Sequence, residues 1–239
     1  MKQTMTLVGI LLAFALSLTS CGGNNAKSNV NVPTEYCEEL VKLAEDGNAE
    51  AQTNLGLCYL MGEGVTQSFE DAAKWFDKSA NQNDAEGQYL LACLYSKGKG
   101  VQVNSQKSFK LLMESAQQGH ADAQCGVAAC YDYGENDIAI DHEEAIKWWR
   151  KAAEQGNAQG QWNVGAYYFD NRDFAQAVQW WRKAAEQGNT MAKVHLGMCY
   201  FLGQGVPQDK QKGYDLIKQA AEQGDSQAMK QLEFIKTYM

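Results

Sequence analysis

The sequence predicts an all-α fold, a right-handed α-α superhelix (solenoid) of about five helix-loop-helix repeats with half-repeat helices at both ends. The first ground is a period. Ala44, Ala80, Ala116, Ala153, Ala185 and Ala221 follow one another at spacings of 36, 36, 37, 32 and 36 residues, and a fixed period of this size marks stacked helical units. The second ground is phase. Seven residues beyond each alanine lies another small residue (Ala51, Gly87, Ala123, Gly160, Ala192, Ala228), and four later an aliphatic one (Leu55, Leu91, Val127, Val164, Leu196, Leu232). Tyr59, Tyr95, Tyr131, Tyr168 and Tyr200 close the stretch, and this spacing is the stripe of a helix, not the alternation of a strand. The third is punctuation: Gly47, Asn83, Gly119, Gly156, Gly188 and Gly224 stand where a left-handed cap ends each second helix.

The elements follow in order. Residues 1–20 carry Lys2, an apolar run from Leu7 to Leu18 and then small residues, which is the pattern of a signal peptide. The run is too short to span a bilayer as a helix. Leu18-Thr19-Ser20-Cys21 resembles the lipobox of bacterial lipoproteins, which implies lipid attachment at Cys21 and cleavage before it. Gly22 in second place of the mature chain implies sorting to the outer membrane. Residues 21–34, rich in Gly, Asn and Ser, read as a flexible tether. The array occupies 35–239. It opens with a lone second-type helix, Glu35 to Asp46, and closes with a lone first-type helix, Ser226 to Tyr238. Glu233 stands there where other units carry Gly or Ala, so this helix reads as a cap.

Within each unit the second helix carries a bulky pair, Trp75-Phe76, Leu111-Leu112, Trp148-Trp149, Trp180-Trp181 or Leu216-Ile217, read as core packing. Gly62-Glu63-Gly64-Val65, Gly98-Lys99-Gly100-Val101 and Gly203-Gln204-Gly205-Val206 join the helices. Together with Leu-Gly-x-x-Tyr and the Lys-Ala-Ala-Glu-Gln-Gly at Lys151–Gly156 and Lys183–Gly188, these resemble the Sel-one-like repeat, a relative of the tetratricopeptide repeat. Two units depart: the third loop, Gly134-Glu135-Asn136-Asp137-Ile138, is longer, and the fourth lacks the loop insert. The resemblance implies an adaptor that binds proteins.

Catalytic patterns are missing from the sequence. It has no His-Glu-x-x-His, no Gly-x-Ser-x-Gly elbow and no Walker-type loop. The recurrence of Gly-x-Gly-Val at one place in the repeat makes it a joining loop and not a nucleotide cradle. Asp132, Glu135, Asp137 and Asp141 lack the ligand order of an EF-hand and read as a solvated loop. No enzyme activity, cofactor or metal is therefore expected. The net charge of −8 argues against nucleic-acid binding. A cell-wall alternative, peptidoglycan or penicillin recognition, rests on cysteine-rich relatives; the nearest candidate, Ser105-Gln106-Lys107, has the wrong spacing for Ser-x-x-Lys. Of the seven cysteines, Cys37 and Cys58 are expected to pair, because antiparallel packing about Gly47-Asn48 sets them level.

The functional surface is expected on the inner wall that first helices build in tetratricopeptide-like arrays. The candidates are Asn54, Tyr89, Trp162, Asn163, Phe169, His195 and Phe201. Rings interleaved with amides suit an extended peptide of a protein partner, rings giving contact area and amides bonding its backbone.

Overall fold

The computed structural model describes residues 33–238. The expected leader, the expected lipidation site Cys21 and nearly all of the expected tether lie outside the described residues. Among those described, twelve α-helices and one 3-10 turn follow one another, with no strand. After α1 (Glu38–Glu45) come five hairpins: α2 (Ala49–Met61) with α3 (Phe69–Ala80), α4 (Ala85–Lys97) with α5 (Ser105–Gln117), and α6 (Ala121–Tyr133) with α7 (His142–Glu154). The last two are α8 (Ala158–Asp170) with α9 (Phe174–Glu186) and α10 (Thr190–Leu202) with α11 (Lys210–Glu222), and α12 (Ser226–Lys236) closes the series. Each helix packs mainly on the one before it and the one after it, the contact pattern of a solenoid.

Short polar side chains set where the helices begin. Asn48, Asp84, Asn157, Asn189 and Asp225 each accept a backbone N–H three residues on, at the start of a first helix. Ser68, Asn104, Asp141, Asp173 and Asp209 do the same for the second helices. Such caps satisfy backbone donors that the helix itself leaves unpaired. His120 fills the same place before α6, its Nδ1 accepting the Ala123 N–H at 3.1 Å. In the third loop Glu135–Asp137 forms the 3-10 turn, with Asn136 and Asp137 at φ +56° and +61°. The insert missing from the fourth unit leaves a three-residue turn in which Arg172 takes φ +62°.

The small positions of the first helices are dictated by the bulky positions of the second. A Cβ on Gly56 would meet the Phe76 ring at 2.5 Å, and one on Gly197 would meet Ile217 at 2.7 Å. Gly165 faces the Trp181 indole in the same way. Phe76, Leu112, Trp149, Trp181 and Ile217 are buried, and so is Trp148, as the packing reading requires.

A glutamine ladder, which the hydrophobic period does not reveal, joins the units. Gln52, Gln124 and Gln161 donate through Nε2 to the carbonyls of Ala44, Ala116 and Ala153 on the preceding second helix, at 3.0, 3.2 and 3.3 Å. Their Oε1 atoms, and that of Gln88, accept from Gln82, Gln155, Gln187 and Gln118 at the end of each unit's own second helix, at 2.7–2.8 Å. All four ladder glutamines of the first helices are buried. A buried amide left unpaired costs roughly 1–3 kcal/mol, so the ladder penalises any slip of one unit against the next. The Gln52–Ala44 bond also shows α1 to be a second-type helix in register.

The expected Cys37–Cys58 disulfide is not formed; both cysteines are free thiols. They do share the first core cluster. The Cys37 sulfur, however, accepts the Leu40 N–H at 3.4 Å as the cap of α1, while the Cys58 thiol points to the Thr34 carbonyl at 3.9 Å. Each sulfur already has another partner. Burial, with Glu63 and Cys37 nearby, raises the Cys58 pKa.

Candidate binding face

The seven residues expected along the inner wall do not form one surface. Tyr89, Asn163 and Phe201 are buried and leave no ring or amide for a partner. Tyr89 stacks on His120 at 4.9 Å, and Asn163 returns its amide to the Gln159 carbonyl at 2.9 Å. Phe201 lies against Gly213, whose missing side chain opens a slot: a Cβ there would come within 3.0 Å of the Phe201 Cβ. Asn54 is also engaged, donating to the Pro33 carbonyl at 3.0 Å. With Tyr36 set edge-on to Tyr59 at 6.5 Å, residues 33–36 lie along α2. They cover a register position that inner units turn toward the preceding hairpin.

That sharing between neighbours explains the misplacement. The residue two before the conserved aliphatic position faces the next unit: the Thr53 hydroxyl donates to Asp84, the cap of α4, at 2.8 Å. The residue one before it faces the preceding unit: His195 stacks on Trp181 at 4.8 Å. The structure does bring Trp162, Phe169 and His195 together. His195 lies 6.1 Å from the Trp162 ring, Phe169 lies 5.3 Å from Trp181, and the Trp181 indole donates to the Trp162 carbonyl at 3.1 Å. This aromatic junction ties the fourth unit to the fifth. Burial lowers the His195 pKa, against a weaker opposing pull from Asp170.

Apolar side chains that do meet solvent lie at the ends of first helices, Leu202 one residue beyond the expected Phe201. Tyr133 and Leu202, the last residues of α6 and α10, are 45% and 52% exposed. Met61, Lys97 and Asp170 hold the same place in the other units. Half-buried Leu57, Ala166 and Met198, four residues earlier, adjoin them along the helix. In α12 the corresponding face is visible as one concavity lined by Gln227, Lys230, Gln231 and Phe234. The signal that could have found Leu202 is its register with Tyr133, since both occupy the final turn before a left-handed glycine.

Several polar groups near this wall pair with one another, whereas the buried Trp162 Nε1 and Glu135 Oε2 have no hydrogen-bond partner. His120 Nε2 meets Glu86 at 2.7 Å, and Asn157 donates to Asp122 at 2.8 Å. Burial opposes the charged His120 imidazole, but Glu86, Asp122 and Asp84 outweigh it and raise its pKa. The acidic residues of the third loop do not converge: Asp132 pairs with His142 at 2.7 Å, and Asp141 caps α7. Among the described residues no cluster is arranged to hold a metal ion.

The repeat geometry has a known counterpart. The Sel1 repeat family matches five times in succession, at residues 49–84, 85–120, 121–157, 158–189 and 190–225. The chain belongs to the Sel1 repeat family. Its matched boundaries coincide with the five hairpins, including the long third and the short fourth. A Sel1 repeat protein from Oxalobacter formigenes is similar at 30% identity and TM-score 0.75, over 82% of this chain and 80% of that one. A protective antigen of uropathogenic Escherichia coli with an SLR fold, c5321, is similar at 34% identity and TM-score 0.59, over 84% of this chain but 51% of its own. The immunity protein Pa5087 of Pseudomonas aeruginosa, at 19% identity and TM-score 0.54 over 82% of this chain and 77% of its own, shares the fold. No curated protein matches the chain.

Proposed function

We propose that this Sel1 repeat protein is a lipid-anchored scaffold of the bacterial cell envelope, held at the outer membrane, that grips a segment of a partner protein along the wall of its first helices. Sel1 arrays are in general protein–protein interaction scaffolds and typically non-enzymatic. The observation that carries the reading is the exposure of Tyr133 and Leu202 at equivalent register positions two hairpins apart, with half-buried Met61 at the same register in the first hairpin. Such side chains offer contact area that folding leaves unused.

Two outcomes test it. Tyr133→Glu combined with Leu202→Glu changes exposed positions, so stability should move by only about 0.5 kcal/mol. Capture of the partner from the protein's own cells should fall roughly tenfold or more, a loss of about 1.4 kcal/mol; undiminished capture contradicts the wall. For the anchor, Cys21→Ser should move the protein out of the detergent phase in a phase-partition assay. If the variant still partitions with detergent, Cys21 is not the lipid site.

A further inference from the structure

One helix face in the array keeps large apolar side chains in solvent. On α12, Met229, Phe234 and Tyr238 at its end are 50%, 54% and 56% exposed, and the tilted Phe234 and Tyr238 rings lie 5.0 Å apart. The opposite side of the helix is the one packed on the array: Ala228 and Ile235 are buried in the last core cluster. Inner first helices are covered on the free side by the second helix of their own unit. In α12 Met229 replaces the ladder glutamine that would meet such a helix, and Glu233 replaces the glycine on which its bulky residue would sit. Glu233 excludes a sixth unit of ordinary geometry, because it would thrust a carboxylate into the close helix–helix contact.

The exposed residues are self-complementary in another way. Lys230 and Glu233 run down the middle of the free face, with Met229 on one flank and Phe234 on the other, as 100° per residue dictates. In an antiparallel pairing about a two-fold axis midway along 229–234, residues whose numbers sum to a constant stand level. Lys230 then stands opposite Glu233 of a second copy, and Glu233 opposite its Lys230. We infer that α12 is a self-association face that pairs antiparallel with α12 of a second copy. Two reciprocal Lys230–Glu233 ion pairs fix its register, and the Met229 and Phe234 flanks supply apolar contact. This is an isologous contact, in which residue i meets j and j meets i. Charge pairing of this kind selects orientation and partner more than it adds affinity. The contact area of one short helix is small, so the dimer is weak and forms where the protein is concentrated.

Sedimentation equilibrium of the full lipidated chain in density-matched detergent tests the pairing. The wild type should show a concentration-dependent monomer–dimer equilibrium. Phe234→Glu, monitored by circular dichroism for unchanged helicity, should remain monomeric. Lys230→Glu alone should weaken association at least tenfold by placing like charges opposite each other, and adding Glu233→Lys should restore it. A wild type that stays monomeric, a Phe234→Glu variant that still dimerises, a double reversal that fails to rescue, or a ladder of species beyond the dimer would each overturn the inference.

Discussion

Replacing Trp181 by alanine should cost about 3–5 kcal/mol, the range for a buried aromatic truncated to a methyl group. Trp181 joins several groups at one joint between units. It is almost fully buried, lies over Gly165, stacks on His195, meets the tilted Phe169 ring, and donates to the Trp162 carbonyl. In a linear array the loss is local before it is global. Hydrogen exchange should therefore show α8–α11 losing protection first, with α2–α5 little changed, and the thermal midpoint should fall by roughly 10 °C. The variant should also free His195. Its pKa is lowered by burial, so the unfolded chain takes up that proton first. This part of the wild type's stability is present at neutral pH and is lost as pH falls below the ordinary histidine value of about 6.5. Trp181→Ala should move the His195 pKa upward toward that value in an NMR titration. A uniform loss of protection along the chain, or an unmoved His195, would refute the assignment of Trp181 as the joint.

Gly100→Ala should cost about 2–5 kcal/mol, although it adds one methyl group on a loop. Gly100 has φ +67°, and its added Cβ would run into the backbone of Phe69 and Glu70 at the start of α3 in the preceding hairpin. Gly205 meets Phe174 and Ala175 of its preceding hairpin in the same way. The left-handed conformation accounts for ~1–2 kcal/mol in an L-residue, and the forced separation of two hairpins adds ~1–3 kcal/mol. Gly119 separates the two effects: it has φ +95° with nothing within 4 Å of an added Cβ. Gly119→Ala should therefore show the conformational part alone. Urea midpoints of the two variants decide the matter, since equal losses would mean that the second loop glycine has no role between units.

The fold was legible because its cause is periodic. Small residues recur where bulky ones must be received, and stops recur where helices end, so Gly56 and Phe76, or Gly119 and Gly156, announce their roles by spacing alone. What spacing could not show is which neighbour a residue serves. Gly100 looked like a turn residue and proves to be a docking point for another hairpin. Asn54 carries the amide expected of a peptide clamp, yet the chain's own Pro33 carbonyl takes it. Phe201 and Leu202 are adjacent and both apolar; the slot beside Gly213, twelve residues on, decides that the ring turns in and leucine turns out. Cys37 and Cys58 come together in one core cluster as the antiparallel turn demands, yet both are free thiols, each sulfur set toward a local backbone group. His120 stood in register with the capping asparagines and aspartates, so its role was readable once the caps were recognised as a set.

The central claim is that binding takes place along one wall of stacked first helices. Photo-crosslinking residues placed one at a time in the protein's own cells measure this most directly. Positions Met61, Tyr133 and Leu202 sample the wall, and Lys74, Lys147 and Lys218, exposed on the second helices, sample the outer side. The wall positions should give adducts to one and the same protein, and the outer positions none. Adducts arising equally from both sides, or from the outer side alone, would contradict the account.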